Sequence, residues 1–303
     1  MSLVERALKK LQESRAITDA KSHQTSVPAA RIINAQPSGS VVIRGMPTPE
    51  NLPVPRRTLH IDRDILRDMQ LLAPVDCERA IASQYQQVKR PLISSAQGKS
   101  GASIPSAHLI MLTSALPGEG KTFTSINLSL SMALEKDVEI LLVDADVAKP
   151  HVSRLFGLYE EPGLLDLLVD SSLHAESLIL PTDVPGLSML SAGKPMNTAT
   201  ELLASERMTQ VVTQLGKPGR IVLFDSPPLL LSTESRALVH HIGQVVLVVR
   251  ADVTPQRAVL DAIDIIGTDK PVSLILNQAN TPPSSGYYGY GSYGDVGGAP
   301  AAS

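Results

Sequence analysis

The chain has 303 residues, of which 43% are hydrophobic and 19% charged, with a formal net charge of −3. That is enough apolar sequence for one large domain or two small ones, and near-balanced charge, no Trp and three Phe argue against a nucleic-acid partner held by bulk electrostatics or base stacking. A single cysteine, Cys77, excludes an internal disulfide and a multi-cysteine metal site.

Residues 1–20 read as an amphipathic helix. Leu3, Val4, Ala7, Leu8 and Leu11 share one face, and Ser2 with Glu5 has the spacing of a capping box. Two uses compete for that stripe: docking on its own domain, or docking on a partner or membrane surface. The segment lacks the uninterrupted apolar stretch of a signal peptide. No apolar run approaches the roughly 18 residues of a membrane span. The protein is therefore expected to be soluble, unless a partner holds it at a membrane.

Residues 21–57 change character. Pro28, Pro37, Pro47, Pro49, Pro53 and Pro55 punctuate Ser- and Ala-containing sequence, the composition of a linker. Residues 58–105 form a helical lead-in, with helix over "IDRDILRDMQ" and again over Asp76–Val88, where Pro91 is expected to end it. Residues 106–280 alternate short apolar runs with helical patterns. "LIMLTSA", "VEILLVDAD", "GLSMLSAG", "RIVLFDSPP", "QVVLVVRAD" and "PVSLILNQ" are strand candidates. "TFTSINLSLSMALE", "ATELLASERMTQVVTQL", "TESRALVHHI" and "TPQRAVLDAIDII" are helix candidates. The pattern predicts an α/β fold, a parallel sheet with helices on both faces. Residues 281–303 form a Gly-, Pro-, Ser- and Tyr-rich tail, and four of the six tyrosines of the chain lie there: Tyr287, Tyr288, Tyr290 and Tyr293.

The sharpest motif is "SALPGEGKTF", Ser114–Phe123. From Ala115 it reads A-x-x-x-x-G-K-T, one glycine short of the strict phosphate-loop pattern, but it stands between an apolar strand and a helix as that pattern requires. Glycines at 118 and 120 let successive N–H groups turn inward toward phosphate oxygens, and the helix that follows adds the positive end of its dipole. Pro117, Gly118, Glu119, Gly120, Lys121, Thr122 and Phe123 are the expected nucleotide-binding stretch. Lys121 would bridge the β- and γ-phosphates and the Thr122 hydroxyl would ligate Mg²⁺. Asn277, at the end of the last strand, is placed to recognise adenine. Carboxylates are expected nearby, because ligands in open parallel sheets bind at the carboxyl ends of strands. "ILLVDAD" ends in Asp144 and Asp146, on one face if the strand continues that far, and "IVLFDSPP" supplies Asp225.

The trio "SALPGEGKT", "LLVDADVAKP" and "VLFDSPPLL" resembles the Walker A, Walker A′ and Walker B motifs of bacterial tyrosine kinases. The resemblance extends over roughly the last two-thirds of the chain, including "SAGKPMNTATELLAS" and "LNQAN". "MSLVERALKKLQ" is similar to the exosortase-associated subgroup, which serves exopolysaccharide export. The resemblance implies a P-loop kinase fold with ATP and Mg²⁺ as cofactors. Lys121 and Thr122 would hold phosphates and metal, Asp144 would assist at the metal, Asp146 would orient or deprotonate a tyrosine hydroxyl, and Asp225 would hold the metal. It implies that Tyr287, Tyr288, Tyr290 and Tyr293 accept phosphate in the active site of another copy. It implies as partners a second copy of the chain and a membrane chain-length or export adaptor.

Two departures stand out. Ala148 replaces the usual Arg of the second motif. The family's ring-forming Glu-Arg-Arg helix is matched here by Ser83, Gln86 and Lys89, which removes charge-assisted pairing. Two other readings therefore stay open: a partitioning-type P-loop ATPase switch, and a non-catalytic nucleotide-binding regulator of a polysaccharide exporter. Against the first, the signature lysine of partitioning ATPases, five residues before the loop lysine, is Leu116 here.

Overall fold

The computed structural model describes residues 57–101 and 103–279. The expected N-terminal helix, the linker up to residue 56 and the tyrosine tail lie outside the described residues.

The strands form one seven-stranded sheet in the order β3-β4-β2-β5-β1-β6-β7. They are β1 (Leu109–Ser114), β2 (Glu139–Asp144), β3 (Leu180–Pro181), β4 (Leu187–Leu190), β5 (Arg220–Asp225), β6 (Gln244–Arg250) and β7 (Val272–Asn277). Six are mutually parallel, and the two-residue β3 pairs antiparallel with β4 at one edge. All six strands anticipated from the sequence are present, and β3 was too short to leave a pattern.

The near-continuous apolar runs are explained by two-sided burial. Leu109, Met111, Leu141, Val143, Val222 and Phe224 pack into one core. Their alternates Ile110, Leu112, Ile140, Leu142, Ile221 and Leu223 pack into the other. Helices cover both faces: α1 (Arg63–Asp68), α2 (Glu78–Ala96), α3 (Lys121–Met132), α4 (His151–Leu155), α5 (Leu164–Val169), α6 (Ala175–Leu178), α7 (Ala199–Leu203), α8 (Glu206–Leu215), α9 (Thr233–Val239) and α10 (Gln256–Ile266).

Two expectations are corrected. Pro91 does not end a helix; it lies inside the 19-residue α2. The carbonyl of Gln87 loses its donor there, but Gln87 and Pro91 are both on the exposed face, where water can serve, while Leu92 and Tyr85 anchor the opposite face. The helical run from Ala199 to Leu215 is two helices, because Ser205 turns to extended backbone and caps α8 with its hydroxyl on the Met208 N–H. The lead-in packs onto the sheet. Leu59, Ile61, Leu66, Tyr85 and Leu92 share the second core with Ile110, Ile126 and Leu128, and Leu59 exchanges backbone bonds with Pro181 and Asp183 beside β3.

This packing also gives Lys89 a use. It is 2% exposed and donates to the Ser131 carbonyl at 2.7 Å, in the last turn of α3, and pairs with Glu135 at 2.8 Å. A cation on the terminal carbonyls satisfies an orphan acceptor and complements the helix dipole. Lys89, aligned with a ring-forming position, is thus occupied within its own domain, while Ser83 and Gln86 are exposed.

Candidate functional site

The central strands β2, β5 and β1 deliver their carboxyl ends side by side, so Asp144, Asp225 and the loop after Ser114 converge. The loop between Ala115 and Gly120 needs left-handed backbone at two points, Gly118 (φ 76°) and Gly120 (φ 91°). At Gly120 there is also no room for a side chain: a Cβ would stand 2.0 Å from the Asn277 amide nitrogen.

The loop is braced from within. The Glu119 side chain is 2% exposed; one carboxylate oxygen accepts from the Leu116 N–H at 2.7 Å and the other from the Thr254 hydroxyl just beyond β6. The Asn277 amide donates to the Glu119 carbonyl at 3.0 Å from the end of β7. Glu119, expected among the nucleotide-binding residues, therefore offers its backbone to a ligand and keeps its carboxylate for the loop. Asn277, expected to recognise adenine, has its amide N–H₂ engaged on the loop instead of free. Pro117 and Gly118 are exposed at the loop's crest, and Lys121, Thr122 and Phe123 are half-buried in the first turn of α3.

Asp225 is buried and holds two hydroxyls of α3, Thr122 at 2.9 Å and Ser125 at 2.8 Å, one on each oxygen. Ser125 was not singled out from the sequence, although it sits three residues after Thr122 on the same helical face. Burial pushes the Asp225 carboxyl up, against the two hydroxyls and the Lys121 charge.

Asp144 is 0% exposed and is the direct cross-strand neighbour of Asp225. Its Oδ2 accepts from both the backbone N–H and the hydroxyl of Ser153, each at 2.7 Å. Burial first, and then the neighbouring Asp225 charge, raise its pKa from 3.8 to about 7.

Asp146 differs from expectation in one respect. β2 ends at Asp144, so Asp146 is not on a common strand face with it; it sits in the following turn and accepts the Lys149 N–H at 3.0 Å. Burial raises its pKa, and the Lys149 N–H together with the charges of Lys121, His151 and Lys149 oppose the rise. Ala148, in place of the usual Arg, is exposed.

Among the described residues, Lys121 makes no hydrogen bond or ion pair through its ammonium. Burial lowers its pKa, opposed by the charges of Asp225, Asp146 and Glu119. A half-buried cation surrounded by carboxylates at the mouth of a glycine loop is matched to a polyanion. The oxygen donors Thr122, Asp144 and Asp225 suit a hard divalent cation. No cluster of three or more His, Cys, Asp or Glu side chains is arranged to hold a metal among the described residues. Magnesium takes one or two carboxylates and completes its shell with phosphate oxygens and water, a demand that oxygen donors of this kind can meet.

Residues 106–220 match the family model described as ParA, NUBPL iron-transfer P-loop NTPase. The tyrosine-protein kinase YwqD of Bacillus subtilis is 31% identical over 184 residues, 59% of this chain and 77% of the relative. The chain belongs to the bacterial tyrosine-protein kinase family. The kinase ptk of Acinetobacter johnsonii is 32% identical over 47% of this chain, but the match spans 19% of that relative's length. For the kinase wzc of Salmonella typhimurium it spans 26%. The chain thus corresponds to about a quarter or less of these longer kinases. Among solved structures, the VpsO kinase domain aligns with a TM-score of 0.56 and 28% identity, over 68% of this chain and all of that one. The kinase domain of the Escherichia coli tyrosine kinase ETK aligns at 0.53 and 26%, over 60% and 72%. The four tail tyrosines lie outside the described residues, and no helix among the described residues is long and apolar enough to cross a membrane.

Proposed function

We propose that this chain is an ATP-dependent protein-tyrosine autokinase that phosphorylates its own C-terminal tyrosine cluster in trans and thereby regulates exopolysaccharide synthesis or export. The observation that carries the reading is the unpaired Lys121 ammonium among Asp225, Asp146 and Glu119, at the mouth of a loop whose glycine backbone leaves N–H groups available to phosphate.

Pro117–Phe123 would hold ATP, with Lys121 serving its phosphates. Thr122, Asp144 and Asp225 would hold magnesium directly or through water, and the ion would supply charge neutralisation on the phosphates. A tail phenol is positioned so that its oxygen bonds to the γ-phosphorus as the bond to the bridging oxygen breaks and ADP leaves. Asp146 takes the phenolic proton. A phenol near pKa 10 is barely ionised at neutral pH, but a loose transition state asks little of the base, and positioning does most of the work. Asn277 would contribute to adenine recognition through its side-chain oxygen, its N–H₂ being held by the Glu119 carbonyl. A membrane chain-length or export adaptor is the proposed partner, and a second copy of the chain is the proposed substrate. The location follows: cytoplasmic, at the inner membrane through that adaptor.

The family model matched over residues 106–220 favours a second reading, an ATPase switch that transfers no phosphate to protein. The loop does not supply that mechanism's signature cation, because position 116 is leucine and its N–H is bound to Glu119. Phosphosite mapping of the wild type beside a variant with Tyr287, Tyr288, Tyr290 and Tyr293 all changed to Phe tests the proposal. Phosphate concentrated in the tail, and largely lost in the variant with ATP binding intact, is expected. Phosphate mainly elsewhere removes the tail as substrate.

A further inference from the structure

Asp144 is fully buried, and its carboxylate has about four acceptor positions to fill. Two donors reach Oδ2, the N–H and the hydroxyl of Ser153, both at 2.7 Å, the short range of charge-assisted bonds. Oδ1 has only the Asp146 N–H at 3.3 Å. The two oxygens are therefore unequal: one is tied down and the other is left for water or a cation.

Ser153 is itself 2% exposed, and its hydroxyl direction is fixed by a third group. The Ala192 N–H, just past β4, points at the Ser153 oxygen at 3.0 Å. A backbone N–H can only donate, so the hydroxyl must accept there and give its proton to Asp144. The chain Ala192 N–H to Ser153 O–H to Asp144 runs one way, and such chains strengthen each member.

The turn that presents Ala192 is built tightly. The Ser191 and Ala192 carbonyls accept the Leu164 and Leu165 N–H groups, and the Ser191 hydroxyl accepts the Gly193 N–H at 3.1 Å. Asp166 of α5 accepts from the Gly163 N–H at 2.8 Å and the Lys194 N–H at 3.3 Å. A Cβ at residue 193 would stand 2.4 Å from that Asp166 oxygen, so glycine is required there. This gives a physical use to the "SAGK" stretch, whose hydrogen bonds run to Ser153 and to residues 161–166.

We propose that Ser153 is a positioning residue that holds the Asp144 carboxylate for the magnesium–nucleotide complex, with the Ser191–Lys194 turn as its anchor. The inference rests on the nucleotide site of the reading above but not on tyrosine as the acceptor. Its test uses the full chain with Mn²⁺ and ADP as probes, metal binding being followed by electron paramagnetic resonance. Ser153→Ala should weaken Mn²⁺ binding in the presence of ADP about tenfold, the scale of one lost hydrogen bond to a charged group. ADP binding in chelator should stay the same, and kcat should fall more than KM for ATP changes. Ser153→Thr, which keeps the hydroxyl, should recover metal binding. If Ser153→Ala does not fold, Ser153→Cys, with a weaker donor of similar size, should show the same loss in smaller measure. Wild-type Mn²⁺ affinity in a folded Ser153→Ala or Ser153→Cys overturns the proposal. A wild type that binds Mn²⁺ and ADP but labels no tyrosine sinks the kinase reading, and the same titration still decides Ser153. A wild type with no such affinity overturns both.

Discussion

Replacing Asp144 by asparagine should stabilise the nucleotide-free protein while abolishing its chemistry. The carboxylate is fully buried beside Asp225, and its pKa rises from 3.8 to about 7. About three pKa units at 1.36 kcal/mol each set a ceiling of roughly 4 kcal/mol on the cost of keeping it charged in the folded state. Asparagine keeps an oxygen for the two Ser153 donors and gives up only the long 3.3 Å bond from the Asp146 N–H to the other oxygen. The expected gain at pH 8, with chelator present, is on the order of 2–4 kcal/mol, or about 5–10 °C in melting temperature for a domain of this size. The sign with pH follows from linkage. Between 3.8 and about 7 the folded wild type binds more protons than the unfolded chain, so its stability rises as pH falls through that window. The advantage of Asp144→Asn should therefore be full above pH 8, shrink through pH 7 and vanish near pH 4. Thermal melts of both proteins across that range measure it. A variant no more stable than wild type at pH 8, or an advantage that ignores pH, refutes the reasoning.

Two other substitutions test the frame around the site. Lys89→Met removes the cation from the Ser131 carbonyl and leaves Glu135 unpaired; a loss of about 1–3 kcal/mol in denaturant unfolding is expected, with no change in oligomeric state. An altered association state would give Lys89 the ring role after all. Gly120→Ala places a methyl 2.0 Å from the Asn277 amide at φ 91°. It should cost at least tenfold in ATP affinity by calorimetry, and unchanged affinity would mean that the loop does not hold the nucleotide in this conformation.

Much of this was legible in the sequence, for identifiable reasons. Buried strands leave apolar runs, and the phosphate loop leaves glycines and a lysine at fixed spacing, so the sheet, Lys121, Thr122, Asp144 and Asp225 could be placed in advance. What escaped was decided by tertiary contact. Pro91 inside α2 depends on which face meets water. Lys89 looked like a degraded ring residue until α3 was seen to end against it. Ser153 lies nine residues beyond Asp144 and reaches it only because α4 turns back over the end of β2, and its anchor, Ala192, is a backbone group with no sequence signature at all. Ser125 was the exception: one turn after Thr122, it could have been inferred from helical spacing. Glu119 shows the opposite case, a motif residue whose side chain turns inward to brace the loop.

The most direct measurement follows the γ-phosphate. Purified full chain is incubated with γ-labelled ATP and Mg²⁺, and the label is traced to tyrosine or to free phosphate, with Lys121→Met as control. The account predicts label on tyrosine in the wild type and none in the variant, whose fold should be unchanged. Label released only as inorganic phosphate, or phosphotyrosine undiminished in Lys121→Met, would contradict it.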